Sequence, residues 1–212
     1  MTKLEKILDS GVVAVIRGAK PEKIMAVAKA LYEGGVTTLE ITVETPKVLS
    51  LIEQVASEYG DKLVIGAGTV LDPETARAAI MAGAQFIFSP TVNPQTIQMA
   101  KRYGVVSIPG ALTPTEILTA YEHGADVIKV FPANVFGPGY LKDVHGPLPH
   151  IPLMPTGGVD LSNAASYIKA GAVAVGVGSS LVSFKGAVDE AYLNSLTQTA
   201  RQFVEIVKAA RS

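Results

Sequence analysis

Two ionisable residues stand where strand patterning should turn them inward. Lys129 lies in Asp126-Val127-Ile128-Lys129-Val130-Phe131-Pro132. Side chains alternate along a strand, so Val127, Lys129 and Phe131 share one face and Ile128 and Val130 the other. The second pair would meet covering helices, which leaves Lys129 facing an interior. An ammonium that is poorly hydrated has a lowered pKa. Its neutral form is the nucleophile that condenses with a ketone. The alternative is a structural lysine paired with a buried carboxylate, although an inward lysine is costly without a use. Glu40, in Leu39-Glu40-Ile41-Thr42-Val43, is its natural partner. Alternation sends Glu40 and Thr42 inward and the three aliphatic residues outward. A carboxyl group in a low-dielectric pocket can carry protons near neutral pH, as making and breaking a bond beside an imine requires. A buried ion pair with Lys129 is the competing reading.

Weaker signals surround this pair. Arg17 ends Val15-Ile16-Arg17-Gly18, and its fork suits a carboxylate, or else it is a surface arginine at a strand end. Gly66-Ala67-Gly68-Thr69 permits close backbone approach and offers a hydroxyl. Pro155-Thr156-Gly157-Gly158 and Gly176-Val177-Gly178-Ser179-Ser180 together resemble a phosphate site, because glycine-rich turns expose backbone N–H groups. Tight turns without a ligand are the alternative. The histidines, His123, His145 and His150, make no metal-ligand pattern; the last two fall in a proline-rich connection. No Ser-His-Asp arrangement is apparent.

The elements that must position these residues can be read from periodicity. Short, nearly uncharged apolar runs occur at 12–16, 38–43, 63–66, 86–89, 105–108, 127–131, 152–155 and 173–176. They suit strands covered on both faces. Between them lie amphipathic segments that begin with helix-start signals: Thr45-Pro46, Asp72-Pro73, Asn93-Pro94, Thr113-Pro114 and Asp160 to Asn163. Ala82-Gly83-Ala84, His123-Gly124-Ala125 and Ala170-Gly171-Ala172 recur as helix-to-strand turns. Repeated βα units predict an α/β fold, a closed (β/α)8 TIM barrel with a short helix before the first strand. A doubly wound open sheet is the alternative. In the barrel, chemistry belongs at the C-terminal ends of the strands.

Composition bounds the rest. The 212 residues fit one domain, 1–212. With no cysteine, disulfides, thiolate metal sites and cysteine nucleophiles are excluded. A net charge of −1 gives no electrostatic case for nucleic acid or a membrane surface. The opening residues Met1 to Lys6 lack a signal-peptide stretch, and no apolar run is long enough to span a bilayer. A cytoplasmic location is expected.

These motifs, with Phe88-Ser89-Pro90 and Ile108-Pro109-Gly110, resemble the 2-keto-3-deoxy-6-phosphogluconate (KDPG) aldolases, which often also act on 4-hydroxy-2-oxoglutarate. The resemblance runs over essentially the whole chain. It implies an aldehyde lyase whose lysine is Lys129 and whose acid–base glutamate is Glu40. It implies phosphate contacts at Gly157, Gly158 and Ser179, next to which Gly178 is a further candidate for substrate binding, and a pyruvyl pocket shaped by Thr69, Pro90 and Phe131. It further implies no metal or cofactor, pyruvate and a phosphorylated keto acid as ligands, and a homotrimer. One branch of the family carries an arginine four residues after the glutamate, where this chain has Glu44; another has it at the end of the first strand, which matches Arg17. Thr156, where a galactonate-specific relative has valine, points to the gluconate substrate. A phosphosugar isomerase or synthase, a galactonate-series aldolase and a non-catalytic phosphosugar binder are the rivals.

Overall fold

The computed structural model describes residues 1–212. It begins with α1 (Lys3–Ser10), opened by a reciprocal cap: the Glu5 N–H donates to Thr2 Oγ1 and the Thr2 N–H to Glu5 Oε2. Strands and helices then alternate: β1 (Val12–Ile16), α2 (Ile24–Glu33), β2 (Thr38–Thr42), α3 (Val48–Tyr59), β3 (Val64–Gly68), α4 (Pro73–Met81), β4 (Phe86–Phe88) and α5 (Pro94–Arg102). The second half holds β5 (Val106–Ile108), β6 (Gly110–Ala111), α6 (Pro114–Glu122), β7 (Ile128–Val130), α7 (Gly139–His145), β8 (Leu153–Pro155), α8 (Ala164–Lys169), β9 (Val175–Val177) and α9 (Glu190–Arg211).

All strand pairs are parallel, in the orders β5-β4-β3-β2-β1-β9 and β6-β7-β8. Pro109 separates β5 from β6. It has no N–H to give a ladder, so one barrel strand is written as two pieces. Its carbonyl still accepts from Lys129 N–H at 2.9 Å, as Ser107's does from Asp126 N–H. At the other seam Thr156 bridges Gly176, and Val173 N–H donates to Leu153 O at 3.0 Å. The nine pieces therefore make eight strands in a closed ring. That closure excludes the open doubly wound sheet.

The ring divides the core in two. Val13, Val15, Val64, Phe86, Phe88, Val106, Ile108, Val127 and Met154 fill the interior, and Ile7 of α1 joins them from below. Leu39, Ile41, Ile65, Ile87, Ile128, Val130 and Leu153 point out into a layer shared with the helices. The inward and outward assignments read from alternation hold on β2 and β7.

Helix starts at Asp72, Asn93 and Thr113 carry their side-chain caps. Thr45 does not. The helix begins at Val48 after Lys47 in a left-handed conformation (φ 60), and Thr45 Oγ1 is buried without a partner. A tight turn, in which Thr45 carbonyl accepts from Val48 N–H, replaces the side-chain cap. His145 is also not in an irregular connection; it closes α7. The long α9 packs against α2 and α8, with Thr197 Oγ1 donating to Ala30 O. Arg211 then clasps the bottom of the barrel, donating to the carbonyls of Leu8, Asp9 and Val173. No helix is long and apolar enough to cross a membrane.

Candidate active site

β7 carries Lys129 at its centre, inside the ring and 5% exposed. Its Nζ lies 4.2 Å from the centroid of Phe88 and 4.5 Å from that of Phe131. The rings displace water while offering their negative faces. Burial lowers the amine's pKa to about 8, Glu40 opposes that shift and Arg17 adds to it. Glu40 rises from β2, 1% exposed. Burial raises its pKa to about 8, against the pull of Lys129 and Arg17 and with a small push from Glu44. The two groups share one interior, yet no ion pair joins them, and Glu40 Oε2 has no hydrogen-bond partner. A structural ion pair, the bland reading of this couple, is not what the barrel holds.

Arg17 follows β1 at the rim. One terminal nitrogen donates to Glu44 Oε1 at 3.1 Å and the other to Thr69 Oγ1 at 2.9 Å. Thr69 holds a left-handed backbone (φ 59), which a β-branched residue rarely adopts, at a cost of about 1–3 kcal/mol. Strain is thus kept where the hydroxyl meets the guanidinium.

A cavity of about 350 Å³ joins these groups. It is lined by Lys129, Arg17, Val15 and Phe131 together with Thr156, Gly157, Gly158, Gly178 and Ser179. Gly157 and Gly158 have φ of 92 and 73, a turn closed to most side chains. Their carbonyls accept from Asn134 N–H and Asn163 Nδ2. The N–H groups of Gly157, Gly158, Ser179 and Ser180 have no partner in the chain. Such a concave set of free donors suits an anion. Thr156 is buried with Oγ1 unpaired, packed on Gly176, where a side chain would overlap it.

The cavity thus unites Lys129, Arg17, Phe131, Thr156, Gly157, Gly158, Gly178 and Ser179. Glu40 and Thr69 do not line it; Thr69 meets it through its hydrogen bond from Arg17. Pro90 is placed elsewhere: it lines a neighbouring hollow of about 410 Å³ behind Phe131, because its backbone packs on Gly110 after β4 ends. Phe88, Asp160 and Ser180, quoted within motifs but given no role of their own, also stand at the site. Alternation on β4 would have pointed to Phe88, which shares Phe86's face. Ser180 ends the second glycine-rich turn, and Asp160 follows the first, where it reads only as a helix start.

The model of the KDPG and KHG aldolase family matches residues 4–198. The chain belongs to this aldolase family. It is therefore a carbon–carbon lyase of the class I, Schiff-base kind, with pyruvate and a phosphorylated keto acid as the family's substrates. It is 37% identical over 200 residues to the 2-dehydro-3-deoxy-6-phosphogalactonate aldolase of Escherichia coli, covering 94% of each chain. It is 42% identical over 161 residues to a 2-dehydro-3-deoxy-phosphogluconate aldolase of Pseudomonas aeruginosa, covering 76% of this chain and 73% of that one. The KDPG aldolase of Legionella pneumophila, solved with pyruvate captured as a covalent carbinolamine, superposes with a TM-score of 0.80 at 28% identity, over 100% of this chain and 99% of that one.

Proposed function

We propose that this aldolase cleaves 2-dehydro-3-deoxy-6-phosphogluconate to pyruvate and D-glyceraldehyde 3-phosphate through an imine on Lys129, over a single domain spanning residues 1–212. The carrying observation is an unpaired lysine amine facing a cavity whose wall also presents unpaired backbone N–H groups.

The neutral amine of Lys129 attacks the C2 ketone and the carbinolamine loses water. The resulting iminium draws electrons from the C3–C4 bond. Glu40, as carboxylate, takes the C4 hydroxyl proton directly or through a water, and the bond breaks. Glyceraldehyde 3-phosphate departs and leaves an enamine. Protonation at C3 and hydrolysis of the imine then free pyruvate. Arg17, set by Thr69, holds the C1 carboxylate. Gly157, Gly158, Gly178 and Ser179 hold the phosphate. Phe131 walls the pyruvyl pocket, with Pro90 behind it. No step needs a metal or a cofactor. 4-Hydroxy-2-oxoglutarate, which lacks the phosphate, would be a poorer second substrate.

The galactonate series is the second reading, and the Escherichia coli relative favours it. The two phosphorylated substrates differ in configuration at C4. Thr156 favours the gluconate series: where a galactonate-specific relative has valine, this chain lines the cavity with a threonine whose buried hydroxyl has no partner of its own. Three copies meeting through exposed apolar residues such as Val135 and Phe136 would give the homotrimer.

Borohydride reduction in the presence of pyruvate, followed by peptide mass spectrometry, tests the imine. An adduct on Lys129 is expected, and folded protein without one would refute the assignment. Comparing kcat/KM on the two C4 epimers tests the substrate. The gluconate epimer should be preferred, and the preference should shrink in Thr156→Val.

A further inference from the structure

Glu40 cannot sit where it does unless the neighbouring strand lacks a side chain. β2 and β3 pair with Glu40 opposite Gly66 and Thr42 opposite Gly68. The Glu40 carboxylate leans up the sheet and occupies the space over Gly68. A Cβ built on Gly68 would overlap the carboxylate carbon and one oxygen, and the other oxygen would be only 2.5 Å away. Gly68 shows no left-handed backbone, so glycine is not there for its φ. Nor does any other atom crowd it as closely as that carboxylate. The carboxylate has no competing hold, because Oε2 makes no hydrogen bond and no ion pair ties it to Lys129. Packing against bare backbone is what fixes its height in the barrel.

We propose that Gly68 is a positioning residue for the reaction: its missing side chain is the seat that holds the Glu40 carboxylate at the level of the reacting carbons. This rests on the acid–base role assigned to Glu40. In Gly68→Ala the methyl group would take that seat. The obstacle is the tip of a flexible side chain, so the carboxylate swings aside and the barrel survives. The amine of Lys129, on the far side of the ring, is untouched.

The test uses pyruvate alone. Its imine becomes an enamine by losing a C3 proton, so exchange of the methyl protons in D2O, followed by NMR, reports the base without a phosphorylated substrate. The end-point yield of the borohydride adduct on Lys129 reports the imine independently. Gly68→Ala is expected to keep the adduct yield and slow exchange about 100-fold, the scale of a lost general base. Glu40→Asp in the native chain should also be slow. In Glu40→Asp/Gly68→Ala the shorter carboxylate clears the new methyl group, and exchange should recover at least about 10-fold over Gly68→Ala, a non-additivity that direct neighbours show.

The outcomes separate cleanly. If Glu40→Gln exchanges normally, the acid–base assignment itself falls. If Glu40→Gln is slow but Gly68→Ala exchanges like the native enzyme, Gly68 is not a seat and only this inference falls. Loss of adduct and exchange together, or a double variant no faster than Gly68→Ala, would also overturn it. Should Gly68→Ala fail to fold, Glu40→Ala/Gly68→Ala must regain the fold, since the methyl group then meets empty space. Failure of that variant to fold counts against the proposal.

Discussion

The two ends of the barrel differ in what they leave unsatisfied. At the bottom, Ile7 fills the ring, Arg211 satisfies the carbonyls of Leu8, Asp9 and Val173, and one buried hydroxyl, Thr38 Oγ1 at the start of β2, is left unpaired. At the top, Glu40 Oε2 and Thr156 Oγ1 are buried without partners, and Thr69 is strained. Folding alone would not bury an unpaired carboxyl group or strain a β-branched residue, because each costs stability. The contrast says that the top is shaped for something other than holding the chain together, and it can be broken or sharpened by substitution.

The largest effect should follow Lys129→Ala. Removing the nucleophile should cut cleavage at least ~1000-fold while leaving the fold intact, as steady-state assay and circular dichroism would show. Retained turnover would end the comparison. Glu40→Gln should lose activity ~100-fold and yet melt ~2–6 °C higher than the native enzyme. The sign follows from burial. The folded pKa of Glu40 is raised from 4.5 to about 8, so its favourable contribution is complete below 4.5 and is lost as pH climbs through about 8. The melting gain should therefore be larger at pH 8 than at pH 5. An equal gain at both would contradict the assignment.

Arg17→Ala is expected to raise KM for the keto acid ~10–100-fold, the worth of a charge-assisted hydrogen bond, with a smaller change in kcat. A kcat defect at unchanged KM would remove Arg17 from substrate binding. The rate of imine formation should rise with pH through about 8, because the Lys129 pKa is lowered from 10.5 to that value, and flatten above it. Stopped-flow trapping with pyruvate would read this directly, and a rise continuing to pH 10 would mean an ordinary lysine. The smallest effect belongs to the bottom: Arg211→Ala should lower Tm by ~2–6 °C without altering kcat/KM. A matching loss of activity would show that the two ends are not separable.

Much of this division was legible in the sequence because a strand's period of two is rigid. Ile128 and Val130 outward forces Lys129 inward, and the same logic places Glu40. Caps at Asp72, Asn93 and Thr113 were equally plain, since each satisfies local N–H groups within three residues. Thr45 looked the same on paper, but there the chain must turn sharply from β2, and backbone bonding does the capping. Pro109's break is only a bookkeeping split, invisible until the ladder is drawn. Pro90's placement depends on Gly110, some twenty positions on, and the Gly68 seat on the β2–β3 register. Local pattern carries no record of such pairings. The α9 helix lay beyond the last expected strand, where alternation no longer guided the reading.

Closing the bottom with Ile7 leaves the ring a blind tube, and that orders traffic. Lys129 lies deep, while Gly158 and Ser179 stand exposed near the rim. Whatever enters must turn round and leave by the same door. A two-carbon or three-carbon aldehyde cleaved from the outer half exits first, and the fragment still bonded to the lysine waits behind it. An added aldehyde would then compete with the departing product for the doorway, but not with pyruvate for the amine. Product inhibition should accordingly differ in kind between the two products, one blocking the passage and the other the nucleophile.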